Sequence, residues 1–394
     1  MLNFITILFL IGSPAASAAP AKHSAPAKVQ APAPAAEVCI STTALKEKIL
    51  AEKTVRGIHV TCWGAGSKKD RAELIAKIKN SVVNAVVIAI KETDGKVYIP
   101  GIAKAEKYGS YNAAIPAPEK MLADFREAGV YTIARVVAFK DKVVPLRNKD
   151  LAVRTPDGGL WRSSNGATWV DPYDRDVWDY VLDVAERAAK LGFDEIQFDY
   201  IRYPSEGRTS LCRYSKPHNR QNAIANLKDF LQYARQRLKP YNVKISADVF
   251  GLTTTVKDDM GIGQDITSMA KYVDYIYPMM YPSHYNSGEY NLKHPNNEPF
   301  KVIDRGLRDA IKRLGDDYAK LRPFLQDFNL GRKGDRQYGP QDVRAQIMAA
   351  KKNLLESWVL WNPGNKYNWA ALTPQSYRAF VDPEYGAEPS PAKK

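Results

Sequence analysis

With 394 residues, 45% of them hydrophobic and 25% charged, the chain has the composition of a globular protein and the length for two average domains or one large barrel. Its net charge of +14 favours anionic partners, but the charge is dispersed and forms no basic block. The three cysteines and 5 histidines are scattered, with no CxxC pair, which argues against a structural zinc cluster and allows at most one intramolecular disulfide.

The chain opens on an apolar run, Leu2 to Gly12, ended by Pro14 and followed by Ala16-Ser17-Ala18. A run this short falls below the roughly 20 residues that a membrane helix needs, and it reads as a signal peptide over residues 1–18. The protein is therefore expected to be exported, to the periplasm or the cell exterior, with membrane association only if the signal peptide stays uncleaved. Residues 19–38 form an Ala/Pro-rich linker without apolar periodicity, extended and semi-rigid. Residues 384–394 form a flexible tail containing "EPSPAKK", which leaves residues 39–383 for the folded domain.

Within that domain, short apolar or β-branched runs recur: "VRGIHVTCW", "AVVIAIK", "YTIARVVAF", "EIQFDYI", "VKISADVF", "VDYIYPMMY", "LRPFLQDF" and "SWVLWN". Amphipathic helical segments separate them. The clearest is "DPYDRDVWDYVLDVAERAAKLGF", with Asp171 expected as N-cap, Pro172 as first helical residue and Gly192 as stop. In it Trp178, Val181, Leu182 and Ala185 share one face; a later helix repeats the pattern with Ile224, Leu227, Leu231, Ala234 and Leu238. Eight alternating strands and helices predict a parallel, closed (β/α)8 TIM barrel. The alternative, an open doubly wound sheet, lacks its glycine-rich phosphate loop, and "GAGSK" is too short to serve as one. The longest insertion, about Lys140 to Val170, follows the third strand and belongs at the C-terminal mouth, where barrel active sites occur.

Strand alternation assigns side chains to the two faces of the barrel wall. In "GFDEIQFDYIRYP", Ile196, Phe198 and Tyr200 are expected to face the helices, and Glu195, Gln197 and Asp199 the interior, with Asp199 at the rim. The fifth strand repeats this with Ser246 and Asp248 inward. Two neighbouring strands thus raise an aspartate each to one mouth. Paired carboxylates are what glycoside hydrolysis needs, one facing the oxocarbenium carbon and one protonating the departing oxygen. The bland alternative is that each carboxylate pairs with a nearby cation, for which Arg202, Arg135 and Lys91 are available. The same phase argument places Lys91, Arg135 (with Phe139), Gln197 and Gln326 inward, with Arg202 and Tyr203 following the fourth strand and Asp327 facing away unless it has turned into the loop. Tyr281 and Tyr285 belong to the mouth, and Trp63 and Trp361 end the first and eighth strands as platforms for sugar rings.

"GFDEIQFDYIRYP", "WVDPYDRDVWDYV", "MMYPSHY" and "RPFLQDF" together resemble the bacterial "Putative glycosyl hydrolase domain" family, grouped with the α-amylase-like (β/α)8 glycoside hydrolases. The resemblance runs from about Arg56 to Trp361. It implies a glycan substrate and an aspartate at the end of the fourth strand as nucleophile or base, matching Asp199. Amylase-like enzymes usually carry a glutamate at the end of the fifth strand, where this chain has Asp248, and an arginine two residues before the nucleophile, where it has Gln197. The expected activity is hydrolysis of an envelope or extracellular polysaccharide or oligosaccharide, with the positive net charge favouring an acidic one and with Asp199 and Asp248 catalytic. Lys91, Arg135, Gln197, Arg202, Tyr203, Tyr281, Gln326 and Trp361 would bind substrate. No organic cofactor or obligatory metal is implied. A non-catalytic glycan-binding barrel of the cell envelope is the alternative, and a nucleic-acid partner is not expected.

Overall fold

Eight short runs of β-branched and apolar residues become eight strands in the computed structural model, which describes residues 54–332 and 334–381. The leader, the linker, Cys39 and the tail lie outside the described residues. The strands are β1 (Arg56–Val60), β2 (Ala85–Lys91), β3 (Tyr131–Val137), β4 (Glu195–Asp199), β5 (Lys244–Phe250), β6 (Tyr275–Met280), β7 (Phe324–Gln326) and β8 (Trp358–Trp361). They are hydrogen-bonded in chain order into a closed barrel in which every pair is parallel. One helix behind each strand completes the unit: α1 (Lys68–Lys79), α2 (Pro118–Glu127), α3 (Arg175–Leu191), α4 (Arg220–Leu238), α5 (Ile266–Ala270), α6 (Pro299–Leu314), α7 (Pro340–Lys352) and α8 (Pro374–Val381). This is the expected (β/α)8 TIM barrel.

The helix signals in the sequence hold with one shift. The N-cap of α3 is Asp174, whose carboxylate accepts the Asp176 N–H at 2.8 Å, rather than Asp171. Asp171 instead ties the preceding turn to a distant loop, accepting from the Tyr173 and Ser215 N–H groups. Gly192 ends the helix in the left-handed region, at φ 95°, where a side chain would be strained. Trp178, Val181, Leu182 and Ala185 are all buried; on α4 only Ile224 of the five expected residues is partly exposed. Between the two helices and the wall sits Phe230, edge-on to Phe139, Trp178 and Phe198. Phe139 therefore faces the helices, and its expected inward phase ends with β3 at Val137.

The interior follows the alternation. Glu195, at the base of β4, accepts hydrogen bonds from Tyr277 Oη at 2.9 Å, Tyr131 Oη at 3.1 Å and Arg322 Nη1 at 2.9 Å. The Arg322 guanidinium also lies over the Tyr275 ring, 3.2 Å from its centroid. A buried carboxylate is tolerated only when its charge and lone pairs are met, and this cluster does both. Around it Ala85, Val87, Ile133, Phe324 and Val359 fill the lumen with apolar side chains. The two described cysteines, Cys62 and Cys212, are buried, free and do not pair.

Glu195→Gln is expected to lower stability by about 3–5 kcal/mol in chemical denaturation, because the Arg322 charge is left buried without its carboxylate. A loss under about 1 kcal/mol would show that the surrounding tyrosines suffice to hold that charge.

Candidate active site

Register explains why two aspartates meet at the mouth. On β4 and β5, Gln197 pairs with Ser246 and Phe198 with Ala247, so the next step brings Asp199 and Asp248 to adjoining strand ends. Neighbouring strands lie about 4.8 Å apart, and residues in register point to the same side. Both aspartates line one cleft of about 740 Å³ at the C-terminal ends of the strands, together with Arg135, Arg202, Tyr281 and Trp361. That volume is in the range, about 300–1,000 Å³, of sites that enclose a small ligand or a few sugar rings.

The two carboxyl groups sit in opposite environments. Asp199 meets only donors: its Oδ2 accepts from Arg135 Nε at 2.9 Å and Nη2 at 2.5 Å, and its Oδ1 accepts the N–H of Tyr200 at 2.6 Å. The last bond depends on an unusual backbone. Tyr200 has φ 48°, a conformation a bulky residue rarely adopts, and it turns its own N–H back toward the carboxylate. Asp248 has no cation in contact, and its Oδ1 finds no hydrogen-bond partner among the described residues. Burial, and then the negative charge of Asp199, push its pKa well above the carboxylate range, with Arg135 opposing. The pair is therefore asymmetric: one carboxyl group is met by donors, and the other is pushed toward its protonated, neutral form.

Arg135 is the hinge of this arrangement. It lies on β3 in register with Gln197 and reaches one step further along, binding Asp199 on one side and Glu92 on the other. Burial works against its charge, and Glu92, Asp199 and Asp248 more than offset it. Where the family resemblance would place an arginine two residues before Asp199, this chain has Gln197, and the guanidinium beside Asp199 comes from the neighbouring strand. Trp361 stacks on His59 with ring centroids 3.9 Å apart and receives the Arg135 guanidinium at 5.1 Å, leaving an aromatic edge to the cleft. Tyr281 keeps its proton, because burial and then Asp248 and Asp199 raise its pKa well above the usual value. Gln264 ties the two strand ends together. Its Nε2 donates to the carbonyls of Asp248 and Ile201 while its Oε1 accepts from Phe250 N–H.

Several expected binding residues lie elsewhere. Lys91 is fully buried on the helix side, bonded to Asp141 at 2.8 Å and facing the Tyr180 ring. A register shift between Ala89 and Lys91 explains the reversal, since one extra residue flips every side chain after it. Tyr203 packs outside the mouth with Tyr173, Tyr214 and His218, its hydroxyl bonded to Asn226. Gln326 is buried, its amide holding Ser283 N–H, Asn296 and Phe328, so it positions the "YPSHY" loop from behind. Gln197 faces the lumen below Asp199, is fully buried and has no hydrogen-bond partner among the described residues. Trp63 is 61% exposed and stands outside the cleft. Asp327 is bonded to Asn368 and does not line the cleft; burial pushes its pKa up to about 6.

Other cleft residues were not anticipated. Tyr200, expected against the helices, turns into the mouth because β4 ends one residue earlier. Lys140, Glu206, His284 and Arg332 come from loops, beyond the reach of strand phase. Burial and the Arg332 charge lower the His284 pKa to about 4, so the ring is neutral. The "HY" of "MMYPSHY" and the start of the long insertion were the available signals for two of these.

A closed parallel barrel with a deep cleft at the carboxyl ends of its strands, holding an aspartate pair and an aromatic platform, defines a glycoside-hydrolase-like TIM barrel. The sequence from residue 57 to 367 matches the profile of the family described as "Putative glycosyl hydrolase domain", and the chain belongs to that family. Among solved structures, the fold is similar to the glycoside hydrolase domain of PgaB (BpsB) from Bordetella bronchiseptica, at 14% identity and a TM-score of 0.61 over 84% of this chain and 99% of that one. It is similar also to the α-galactosidase TtGalA from Thermus thermophilus, at 12% identity and a TM-score of 0.50 over 84% and 62% of the two chains. A hypothetical protein from Ruminiclostridium thermocellum is 32% identical over 52% of this chain and 98% of its own, with a TM-score of 0.44. No curated protein matches the sequence.

Replacing Asp199 by Asn removes a charge that raises the Asp248 pKa, so the Asp248 carboxyl is expected to titrate lower in that variant. Carbon-13 carboxyl NMR, assigned with Asp248→Asn, reads this directly. An Asp248 that titrates in the ordinary carboxylate range in the unsubstituted protein would contradict its assignment as a neutral acid.

Proposed function

We propose that the protein is a glycoside hydrolase acting on an envelope or extracellular polysaccharide, with Asp199 as nucleophile or base and Asp248 as general acid. The observation that carries this reading is the contrast between the two carboxyl groups in one open cleft: Asp199 held by donors, and Asp248 buried with an oxygen that finds no partner among the described residues. In the reaction, Asp248 gives its proton to the glycosidic oxygen as the bond to the anomeric carbon breaks. Asp199 faces the positive charge that develops on the ring, attacking it or directing water to it. Arg135 holds the Asp199 carboxylate in place, and Trp361 and Tyr281 offer the ring an aromatic edge and a neutral hydroxyl. Export to the periplasm or cell exterior, read from the leader, brings the protein to such a substrate, and its excess basic charge suits an acidic glycan.

One observation favours the second reading, a glycan-binding barrel without turnover: both oxygens of Asp199 are already engaged, Oδ2 by Arg135 and Oδ1 by a backbone N–H. The readings separate on a panel of extracellular polysaccharides assayed for new reducing ends. The hydrolase reading expects turnover that falls about 100- to 10,000-fold in Asp248→Asn, with activity largely restored on aryl glycosides whose leaving group needs no proton. It also expects turnover to fall as pH rises through the raised Asp248 pKa, because the acid must carry its proton. Binding to a polysaccharide with no new reducing ends, unchanged by either substitution, would establish the binding-only barrel.

A further inference from the structure

The cleft contains a cation without an ion-pair partner among the described residues. Lys140 stands three residues past the end of β3, at the start of the long insertion, fixed by an antiparallel bridge to Trp169. It is 8% exposed and lines the cleft. Its ammonium faces the Tyr200 ring at 4.9 Å and the Trp169 ring at 6.0 Å, and no carboxylate among the described residues forms an ion pair with it. Glu206, an acid of the same wall, is bonded to Arg202 at 3.3 Å. Lys140, Arg202 and Glu206 together leave this wall with a positive excess. Burial lowers the Lys140 pKa, and Glu206 opposes that shift. A buried ammonium held against ring faces, without a directly paired carboxylate among the described residues, gains more from a bound anion than an exposed lysine does, because less water competes for it.

We propose that Lys140 is a specificity-determining residue that receives the carboxylate of an acidic sugar, so that the cleft selects uronate-containing glycans over neutral ones. This rests on reading the cleft as a glycan site. The ring faces of Tyr200 and Trp169 hold the ammonium in place, and Arg202 backs it, with its own charge already shared with Glu206. The surface charge of the whole protein would draw any polyanion nearer, but only a contact inside the cleft can tell a carboxylate from a hydroxymethyl group at the same position.

The test uses the full chain carrying Asp199→Asn to suppress turnover, titrated calorimetrically with oligouronates and with the same oligomers after reduction of their carboxyl groups. The expected result is binding of the acidic form about tenfold or more tighter than the reduced form, the size of one charge-assisted hydrogen bond. Lys140→Met should abolish that ratio while leaving the affinity for the reduced form within about twofold, and Lys140→Arg should keep most of the ratio. Equal binding of the two forms, equal loss of both in Lys140→Met, or no binding of any oligouronate would each overturn the proposal. A sulfated neutral oligomer distinguishes a general anion site from a carboxylate site: binding as tight as the uronate would overturn the uronate assignment. Because binding is read without turnover, a failure here is separate from a failure of the hydrolase reading. Reducing ends released from a neutral glucan, with no preference for uronates, would sink this proposal and leave the hydrolase standing.

Discussion

A barrel strand with two carboxylates on its inner face can fold only if the lumen supplies matching charges. β4 sets this constraint with Glu195 and Asp199, both buried. Its neighbour β3 answers at the top with Arg135, and β7 is preceded by the arginine that answers at the base, Arg322. The two ion pairs serve different ends. Glu195 and Arg322 are enclosed by tyrosines and close the bottom of the barrel. Arg135 and Asp199 open onto a cleft, where the carboxylate keeps an approach from outside.

The second consequence of the same strand is the condition of Asp248. It stands next to Asp199 by register and has no cation of its own, because Arg135 spends its donors on Asp199 and Glu92. Two neighbouring carboxyl groups in a buried site cannot both carry charge cheaply, and the one without donors is pushed toward its protonated form. The asymmetry between the two carboxyl groups therefore comes from where a single arginine points. Gln264 fixes the relative height of the two strand ends, and the turn at Tyr200 supplies the last donor to Asp199.

Much of this was legible in the sequence, for a physical reason. The alternation of "EIQFD" and "ISADV" has a period of two wherever a strand is regular, so Glu195, Gln197, Asp199, Ser246 and Asp248 could be assigned to the lumen from spacing alone. Arg135 followed by the same rule. The rule fails where regularity does. The bulge after Ala89 turned Lys91 outward, β4 ended before Tyr200, and β3 before Phe139. Loop residues carry no phase at all, so Lys140, Glu206 and Arg332 could not be placed before the chain path was known. Gln326 was expected to face inward and bind substrate, but it is buried at the end of β7 with its amide toward the loop that carries Tyr281 and Tyr285.

The account turns on where a glycosidic bond lies relative to the two aspartates, and a crystal structure of the Asp199→Asn chain with a bound oligosaccharide measures that. The predicted result places the glycosidic oxygen at hydrogen-bond distance, about 2.6–3.2 Å, from the Asp248 carboxyl, with the anomeric carbon facing residue 199. An oligosaccharide lying along the cleft with its glycosidic oxygens turned away from Asp248 would contradict the account.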